Sequence, residues 1–412
     1  MTQPTCRFCR APLTLDFIDL GRQPLSNAYL TRAQLDSGKE GFYPLHVRVC
    51  EACWLVQADD PVAHDAIFDD DYAYFSSYSP GWVAHAKRYA EAMKARFGLD
   101  GSSLVAEVAS NDGYLLQHFA DMGVPVLGIE PTANTAAVAI GKGVPTEIAF
   151  FNAATAARLR AGGVRADLMA GNNVLAHVPD IADFVAGFPI LLKPEGVLTF
   201  EFPHLLRLIE DVQFDTIYHE HFSYLSLLAV EKVLAGSGMK AFDVERLPTH
   251  GGSLRLFCAH AGASHAETQA LRDMRAAEAA AGLDTRAPYE SFTARAEAVR
   301  DGLRAFLDRA EAEGKRVAAY GAAAKGNTFL NYADVKAPRI EAVFDANPHK
   351  QGRYLPGSHV PILAPSEVTA VKPDYLLILP WNLRDEIVGQ MAMIRQWGGR
   401  FVVAVPGIEV IG

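Results

Sequence analysis

The chain has 412 residues, of which 50% are hydrophobic and 21% are charged. This length exceeds what one compact core normally holds, so we expect two or three domains. The formal net charge of -10 argues against a surface that neutralises a phosphate backbone, and nucleic acid is therefore not an expected partner. A local basic pocket for a single pyrophosphate is still compatible with this charge.

No apolar run reaches the ~18 residues that suggest a membrane span. The first residues also lack the basic and apolar segments of an export signal. We therefore expect a cytoplasmic protein without a membrane partner. Four of the five cysteines form two Cys-x-x-Cys pairs, and in a reducing compartment such pairs predict metal ligands before disulfides.

The N-terminal stretch, residues 1–66, holds both cysteine pairs and several turn residues, which is typical of a small module folded around a metal. Cys6, Cys9, Cys50 and Cys53 have the spacing of a tetrahedral Zn2+ site. Because four thiolates leave no coordination position open, the zinc would be structural. The alternative is a set of reduced thiols without a metal. Cys258, in an apolar run, is expected to be a buried core residue.

Beyond a segment rich in aromatic and hydroxyl side chains, an amphipathic helix is predicted over 82–97. Short apolar runs then predict strands at 104–109, 125–130, 146–150, 167–171 and 197–202. Helices are predicted between them, beginning at Gly113 and Thr132 and near 153–161. This alternation indicates a parallel sheet with helices on both faces.

A helix at 227–234 and two strands at 241–247 and 253–259 complete this unit, and a final hairpin of this kind resembles the class I methyltransferase fold. Helices at 265–282 and 289–314 lead to a second alternation, with strands at 316–320, 340–345, 375–380 and 401–405. The predicted fold class is α/β. We expect a zinc-binding module at 1–66, a Rossmann-like methyltransferase domain at 67–262, and a helical connection with a second Rossmann-like domain at 263–412.

Two strand-to-helix turns carry candidate binding residues. In the first, Glu107-Val108-Ala109-Ser110-Asn111-Asp112-Gly113, backbone N–H groups and close approach suit an adenosyl ligand, and Glu130 ends the next strand, where a carboxylate accepts from ribose hydroxyls. In the second, Gly321-Ala322-Ala323-Ala324-Lys325-Gly326-Asn327, small residues and an ammonium suit a diphosphate. The alternatives are a structural turn with a chance acid and a tight turn with solvated charges.

Several motifs in fixed order then carry a resemblance that spans nearly the whole chain. They are the four cysteines, Tyr-x-Tyr-Phe-Ser-Ser, Glu-x-x-Ser-Asn-Asp-Gly, Gly-Ile-Glu-Pro, Asn-Asn-Val-x-Ala-His-Val-x-Asp, Tyr-His-Glu-His, His-Gly-Gly-Ser and Tyr-Gly-Ala-Ala-x-Lys-Gly-Asn. This set resembles the sugar C-methyltransferases of deoxysugar pathways, which use S-adenosylmethionine to methylate a carbon next to the ketone of a nucleotide-linked 4-keto sugar, commonly C3. One departure from the wider class of methyltransferases is that Ala109 and Asn111 stand where glycines often sit.

The resemblance implies roles for individual residues. His221 is the leading general base, Glu220 orients or polarises it, Tyr218 is a hydrogen-bond partner of the sugar, His177 is a second acid or base, and Tyr72 and Tyr74 close the pocket. The expected donor-binding residues are Ser76, Ser77, Glu107, Ser110, Asn111, Gly113, Glu130, Pro131, Asn172 and Asn173. The expected substrate-binding residues are Tyr74, His250, Gly321, Lys325, Asn327, Lys350 and Arg353.

Other functions stay open at this point. An oxygen- or nitrogen-directed nucleotide-sugar methyltransferase would use the same donor site, and a non-catalytic nucleotide-sugar binder would use the two Rossmann-like units without the Tyr-His-Glu-His cluster. A nicotinamide-dependent oxidoreductase would need a Gly-x-Gly-x-x-Gly turn, which neither turn offers. The expected substrate carries dTDP, with GDP or CDP as the alternatives.

Overall fold

The computed structural model describes residues 3–59 and 75–412. In these two ranges the chain forms an antiparallel four-stranded sheet, a mixed seven-stranded sheet and a mixed six-stranded sheet. The last two confirm the predicted α/β class with two Rossmann-like units. Among the described residues, no helix combines the length and the apolar character that crossing a membrane requires.

The elements follow one another in three stretches. The first contains β1 (Leu15–Gln23), α1 (Arg32–Ser37), β2 (Tyr43–Val49) and β3 (Val56–Ala58). The second contains α2 (Pro80–Phe97), β4 (Val105–Val108), α3 (Leu116–Asp121), β5 (Val126–Glu130), α4 (Ala133–Gly141), β6 (Thr146–Ile148), α5 (Ala153–Ala161), β7 (Ala166–Asn172), α6 (Ile181–Leu191), β8 (Leu192–Pro203), α7 (Leu205–Glu210), β9 (Ser223–Tyr224), α8 (Leu227–Gly236), β10 (Met239–Leu247) and β11 (Ser253–His260).

The third stretch contains α9 (Gln269–Ala280), α10 (Ala287–Glu290), α11 (Phe292–Ala312), β12 (Val317–Tyr320), α12 (Ala324–Tyr332), β13 (Val343–Phe344), β14 (Ile362–Leu363), α13 (Val368–Val371), β15 (Tyr375–Ile378), α14 (Arg384–Gln390), β16 (Arg400–Val403) and β17 (Glu409–Ile411). Short 3-10 turns lie at Ser76–Tyr78, Leu175–His177, Phe214–Thr216, Thr249–Gly251, Pro365–Glu367, Trp381–Leu383 and Ala392–Trp397.

The seven-stranded sheet has the order β10-β11-β8-β7-β4-β5-β6. Strands β8, β7, β4, β5 and β6 are parallel, and β11 runs antiparallel to both β8 and β10. All four residues of β4 are buried, as expected for a central parallel strand covered on both faces. The carboxyl ends of the parallel strands therefore share one edge, where ligands of such sheets bind.

The four-stranded sheet has the order β1-β2-β3-β9. Its last strand comes from the middle of the chain: Ser223 pairs with Gln57, and Tyr224 pairs with Val56. The sequence did not predict this strand, because two residues carry no periodicity. The N-terminal module is thus joined, through backbone hydrogen bonds, to the segment that directly follows Tyr-His-Glu-His.

The N-terminal and C-terminal parts share a hydrophobic core. The Phe17 ring on β1 stacks on Phe292 of α11, with ring centroids 4.3 Å apart, and meets Tyr289 of α10 edge-on at 6.0 Å. Buried aromatic surface of this kind is a major source of stability. Cys258 on β11 is fully buried, as the sequence predicted.

Several predicted helices differ from those observed. The helix expected over 265–282, for example, spans Gln269–Ala280. The helix expected to begin at Gly113 begins at Leu116, because Gly113 has a left-handed backbone conformation with φ of 76° and belongs to the preceding turn. The helix expected over 289–314 is divided into α10 and α11, which meet at Ser291. By contrast, α5 has the bounds that the sequence predicted.

Candidate active site and metal centre

The four cysteines of the two Cys-x-x-Cys pairs meet in one cluster, and their sulfur atoms all lie within 4.8 Å of one another. The Sγ atoms of Cys6 and Cys53 are 3.6 Å apart, and those of Cys9 and Cys50 are 3.4 Å apart. A tetrahedral zinc with Zn–S bonds of about 2.3 Å would place its sulfurs ~3.7 Å apart. The cluster therefore fits zinc, and four thiolates make that zinc structural.

Both cysteine pairs are held by the same local turn. The backbone N–H of Arg10 donates to the Cys6 carbonyl at 3.0 Å, and that of Trp54 donates to the Cys50 carbonyl at 2.7 Å. The Gln57 amide nitrogen also donates to the Cys6 sulfur at 3.2 Å. Donors that surround a thiolate stabilise its charge and orient it toward a metal.

The turn after β4 is the first part of the candidate donor site. Ala109, Asn111 and Gly113 all have positive φ values, of 57°, 49° and 76°. A Cβ at Gly113 would come within 3.2 Å of Ala139 and Val144, so close packing favours glycine there. The Ser76 N–H donates to the Asn111 side chain at 2.9 Å, and the Ser77 N–H donates to Asp112 at 3.3 Å. The segment before α2 is thereby tied to this turn.

Glu130 ends β5 beside the same turn and is followed by Pro131. One carboxylate oxygen accepts from the Asn111 N–H at 2.8 Å, and the other accepts from the Thr132 N–H at 3.0 Å. An ionised carboxylate offers about four lone-pair positions, so these bonds orient the group and leave acceptor capacity. Glu107 on β4 is fully buried, and burial raises the pKa of its carboxyl well above the ordinary value, partly offset by a hydrogen bond from Tyr114.

Several buried polar atoms at this edge of the sheet have no hydrogen-bond partner among the described residues. Within the described residues, these atoms are the Ser110 hydroxyl and the side-chain oxygens of Asn172 and Asn173. Ser110 follows β4, Asn172 ends β7, and Asn173 comes directly after β7. A buried polar atom without a hydrogen bond lowers the stability of the folded protein, so such atoms normally have a partner. Three such atoms at the carboxyl ends of neighbouring strands fit a polar ligand such as S-adenosylmethionine.

His221 has its imidazole fixed by the backbone. Its Nδ1 lies 2.8 Å from the Thr216 carbonyl, and because a carbonyl only accepts, Nδ1 carries the proton and Nε2 is the basic nitrogen. Burial lowers the pKa of His221 well below its ordinary value, and the neighbouring His177 lowers it further. The ring is therefore neutral at neutral pH. The Tyr218 ring packs against it, with centroids 4.0 Å apart.

His177 lies in the turn after β7 and contacts His221, with ring centroids 4.7 Å apart. Burial lowers the pKa of His177 to about 4, although a hydrogen bond with the Glu220 carbonyl partly opposes this. The two loops are also joined by their backbones, since the Phe222 N–H donates to the Ala176 carbonyl at 2.8 Å. The structure thus brings together two candidate acid–base residues that are distant in sequence.

The side chain of Glu220 is placed differently from our expectation. Its carboxylate accepts from the Asn27 side-chain amide at 2.6 Å, while the Thr216 carbonyl makes the orienting contact to His221. The reason is that neighbouring side chains of this loop diverge, so that Glu220 faces the N-terminal module. Burial raises the pKa of Glu220. His219 also turns away, and its Nε2 donates to the Pro44 carbonyl at 3.1 Å.

The C-terminal domain contributes a cation to the same region. The Lys325 Nζ, in the first turn of α12, donates to the Asn382 side chain at 2.8 Å and lies 4.5 Å from the centre of the Trp381 ring. The Trp381 indole N–H donates to Asp215 at 2.8 Å. Burial raises the pKa of Asp215 to about 6, against the opposing effect of Lys325. Burial also lowers the pKa of Lys325.

Other predicted substrate residues have contacts within the protein. Asn327 donates to the Ser26 carbonyl at 2.6 Å, Lys350 donates to the Ala322 carbonyl at 2.8 Å, and the exposed Arg353 lies 3.5 Å from the Tyr29 carbonyl. A Cβ at Gly321 would meet Pro380 at 2.4 Å. His250 has a φ of 56° and meets Trp82 edge-on at 5.5 Å. Tyr72 and Tyr74 lie outside the described residues.

Four residues of this region were missed by sequence reasoning: Asn27, Asp215, Thr216 and Trp381. Thr216 acts through its carbonyl, which no side-chain motif reveals. Asn27 and Trp381 come from other domains, and neither stands in a recognisable spacing. Asp215 could have been found, since an acid that lies among the apolar residues Val212, Phe214 and Ile217 predicts a buried carboxyl with a specific partner.

The order of the seven-stranded sheet, its antiparallel edge hairpin and the polar residues at the carboxyl ends of its parallel strands define a class I S-adenosylmethionine-dependent methyltransferase. Family models agree along the chain: a zinc binding domain matches residues 6–68, a methyltransferase domain matches 82–243, and a C-methyltransferase C-terminal domain matches 248–406. C-methyltransferase NovU of Streptomyces niveus is 36% identical over 406 residues, which cover 98% of this chain and 96% of the relative. The chain belongs to this zinc-containing C-methyltransferase family.

Solved methyltransferase structures match a part of the chain. Magnesium protoporphyrin IX methyltransferase (ChlM) from Synechocystis PCC 6803 with bound SAM is 17% identical, covers 48% of this chain and 88% of its own, and has a TM-score of 0.33. Burkholderia thailandensis 1,6-didemethyltoxoflavin-N1-methyltransferase is 18% identical, covers 50% of this chain and 95% of its own, and has a TM-score of 0.36.

Proposed function

We propose that this C-methyltransferase methylates C3, the carbon next to the ketone, of a nucleotide-linked 4-keto deoxysugar. The observation that carries the proposal is the state of His221: Nδ1 is held by the Thr216 carbonyl, and the lowered pKa keeps Nε2 free of a proton at neutral pH. A neutral imidazole with a fixed basic nitrogen suits removal of a proton from carbon.

The reaction needs a nucleophilic carbon. The C–H next to a ketone is acidic enough for a general base, because the charge left behind delocalises onto the ketone oxygen. His221 takes that proton and leaves the enolate carbon as the nucleophile. S-adenosylmethionine, when bound, would supply an electrophilic methyl group, and its sulfur–methyl bond would break as the new carbon–carbon bond forms, with S-adenosylhomocysteine as the leaving group. Tyr218, whose ring packs against His221, donates its hydroxyl toward the oxygen and stabilises its charge. His177, whose N–H donates to the Glu220 carbonyl, is the second candidate base.

Donor and substrate approach from different domains. Glu107, Glu130, Asn172 and Asn173 line the sheet edge at which the adenosyl group is expected. Lys325 and Lys350, beside the turn that begins at Gly321, supply positive charge for the diphosphate of the sugar nucleotide. We propose dTDP as the nucleotide, with GDP and CDP as the alternatives to be tested.

Deuterium exchange separates the base from methyl transfer. A 4-keto sugar nucleotide incubated in deuterated water with S-adenosylhomocysteine and the enzyme should gain deuterium next to the ketone. His221→Asn should lose this exchange while it still binds both ligands, because the proton transfer occurs only in the transition state. His219→Asn is the matched control, since this imidazole of the same loop faces the Pro44 carbonyl.

The outcomes are distinct. Exchange that persists in His221→Asn would remove His221 from the base role. A wild-type enzyme that neither exchanges nor methylates any 4-keto sugar nucleotide would contradict carbon methylation of this substrate class, and an oxygen- or nitrogen-directed reaction would then be tested with sugar nucleotides that lack the ketone.

A further inference from the structure

Arg7 lies between two zinc-ligand candidates, Cys6 and Cys9, and yet its side chain is buried, with 8% of the residue exposed. One guanidinium nitrogen donates to the Ala58 carbonyl at 2.7 Å, and another donates to the Pro179 carbonyl at 3.0 Å. The same group lies over the Phe222 ring, 5.3 Å from its centre. A planar guanidinium that donates in two directions fixes the distance between the groups that accept.

Two of the groups that Arg7 contacts, Pro179 and Phe222, belong to the loops that carry His177 and His221. Pro179 follows His177 by two residues, and Phe222 directly follows His221. Ala58 connects to the second loop as well, since its N–H donates to the Phe222 carbonyl at 3.1 Å. One buried side chain therefore bridges the loops that carry both candidate acid–base residues.

The contacts of Arg7 also lead back to the cysteine cluster. Its backbone N–H donates to the Gln57 side-chain oxygen at 2.8 Å, and the nitrogen of the same amide donates to the Cys6 sulfur at 3.2 Å. Gln57 pairs with Ser223 in the sheet, two residues beyond His221. A short chain of hydrogen bonds thus runs from a zinc ligand to the catalytic loop.

We propose that Arg7 is a positioning residue through which the zinc-binding module sets the separation of the His177 and His221 imidazoles, an inference that rests on the acid–base roles proposed above. The neighbouring Arg10 differs from Arg7 because its side chain makes a surface contact. This side chain is exposed and lies 3.8 Å from the Asp180 carboxylate. Arg10 reaches the same loop as Arg7 and does not reach the segment after His221 by any contact found in the described residues.

Arg7→Met, Arg7→Lys and the matched control Arg10→Met test the proposal in the full-length, zinc-loaded enzyme. Arg7→Met should keep its zinc and its affinity for S-adenosylmethionine. It should lose about 10-fold to 100-fold in both deuterium exchange and kcat with little change in KM, because small displacements of reacting groups are costly. Arg7→Lys should recover part of the loss, since an ammonium serves one carbonyl at a time. Arg10→Met should stay within about 2-fold of wild type.

The imidazole NMR signals of His177 and His221 provide a readout that does not depend on turnover. They should shift in Arg7→Met and stay unchanged in Arg10→Met. Unchanged signals, or wild-type exchange in Arg7→Met, would overturn the positioning role. If both Arg7 variants lose zinc and activity to the same extent, the positioning role is also overturned. Arg7 would then act only by stabilising the metal site. If the wild-type enzyme neither exchanges nor methylates any 4-keto sugar nucleotide, the proposed function fails by itself, and the NMR comparison still decides on Arg7.

Discussion

The imidazoles of His177 and His221 meet edge to face, with ring centroids 4.7 Å apart and planes at 68°. They come from separate loops, one after β7 and one before β9. A proton on either ring disfavours a proton on the other, because like charges at this distance repel. Protonation of one ring therefore makes protonation of the other less favourable, and the two residues are expected to act together.

The first prediction concerns this coupling. His221→Asn should lower kcat by about 100-fold to 10,000-fold, the usual contribution of a general base. The His177→Asn/His221→Asn double variant should lose little more than His221→Asn alone, because residues that act as a unit are not additive. The kcat values of wild type, His177→Asn, His221→Asn and the double variant decide between these outcomes. Losses that multiply would mean that the histidines act in independent steps.

The second prediction concerns acid stability. The pKa of His177 is lowered to about 4 in the folded protein, below the ordinary value of about 6.5 that applies when the chain is unfolded. As pH falls from 6.5 toward 4, the unfolded chain gains a proton that the folded chain does not. Between pH 7 and pH 5 this residue should therefore cost about 2 kcal/mol of stability.

Thermal unfolding at the two pH values measures this effect. His177→Asn should show a smaller decrease in Tm than wild type on going to pH 5, whereas His349→Asn, which alters an exposed histidine, should behave like wild type. An identical decrease in wild type and His177→Asn would show that His177 takes up its proton in the folded protein.

The third prediction concerns the methyl donor. Glu130→Ala should weaken S-adenosylmethionine binding by about 1.5–3 kcal/mol, the usual range for hydrogen bonds to a charged group. Glu147→Ala is the control, because this carboxylate on the neighbouring strand pairs with Arg158 at the surface, at 2.7 Å. Titration calorimetry measures both affinities. A Glu130→Ala protein with wild-type affinity would place the ribose elsewhere.

The fourth prediction concerns the sugar nucleotide. Lys325→Met should raise its KM by about 10-fold or more, since a charge-assisted contact to a diphosphate is lost, and should leave the affinity for S-adenosylmethionine unchanged. Lys336→Met is the control, because this exposed lysine of the same domain pairs with Asp334 at 3.2 Å. If both variants retain the wild-type KM, the diphosphate does not contact Lys325.

The fifth prediction concerns the metal. Purified protein should contain about one zinc ion per chain, and Cys50→Ser should lose it and lower the Tm, because metal binding and folding of such modules are coupled. Cys258→Ser is the control, since Cys258 is buried in β11, outside the cluster. Elemental analysis of protein prepared without chelators measures the metal. A wild-type protein without zinc would contradict the structural role.

The sequence predicted the regular parts of the fold well. Continuous apolar runs revealed β4, β5, β7 and β8, because central parallel strands are buried on both faces. The alternation of strands with helices indicated β6, which lies at the edge of the sheet and is only partly buried. The zinc ligands were predicted from spacing, and Glu130 was predicted at the end of its strand. These features depend on local patterns or on short stretches of chain.

The missed features depend on tertiary contacts. The carbonyl of Thr216 orients His221, and a backbone atom carries no sequence signature. Asn27 meets Glu220 across two domains, and the expectation that Glu220 orients His221 failed because the side chain faces this amide. Neither contact can be derived from spacing, since the first depends on the conformation of one irregular loop and the second depends on how the N-terminal module packs on that loop.

The sheet order β1-β2-β3-β9 has a consequence for biosynthesis. During synthesis on the ribosome, β1 to β3 emerge first. The edge of β3 stays unpaired until β9 has been translated, which occurs after most of the methyltransferase domain. Pairing between strands that are distant in sequence slows folding. Until β9 has paired, the exposed edge of β3 can pair with other chains and cause aggregation. For chimeras between relatives, a transplanted N-terminal module therefore needs its cognate β9 segment, although the two are far apart in the gene.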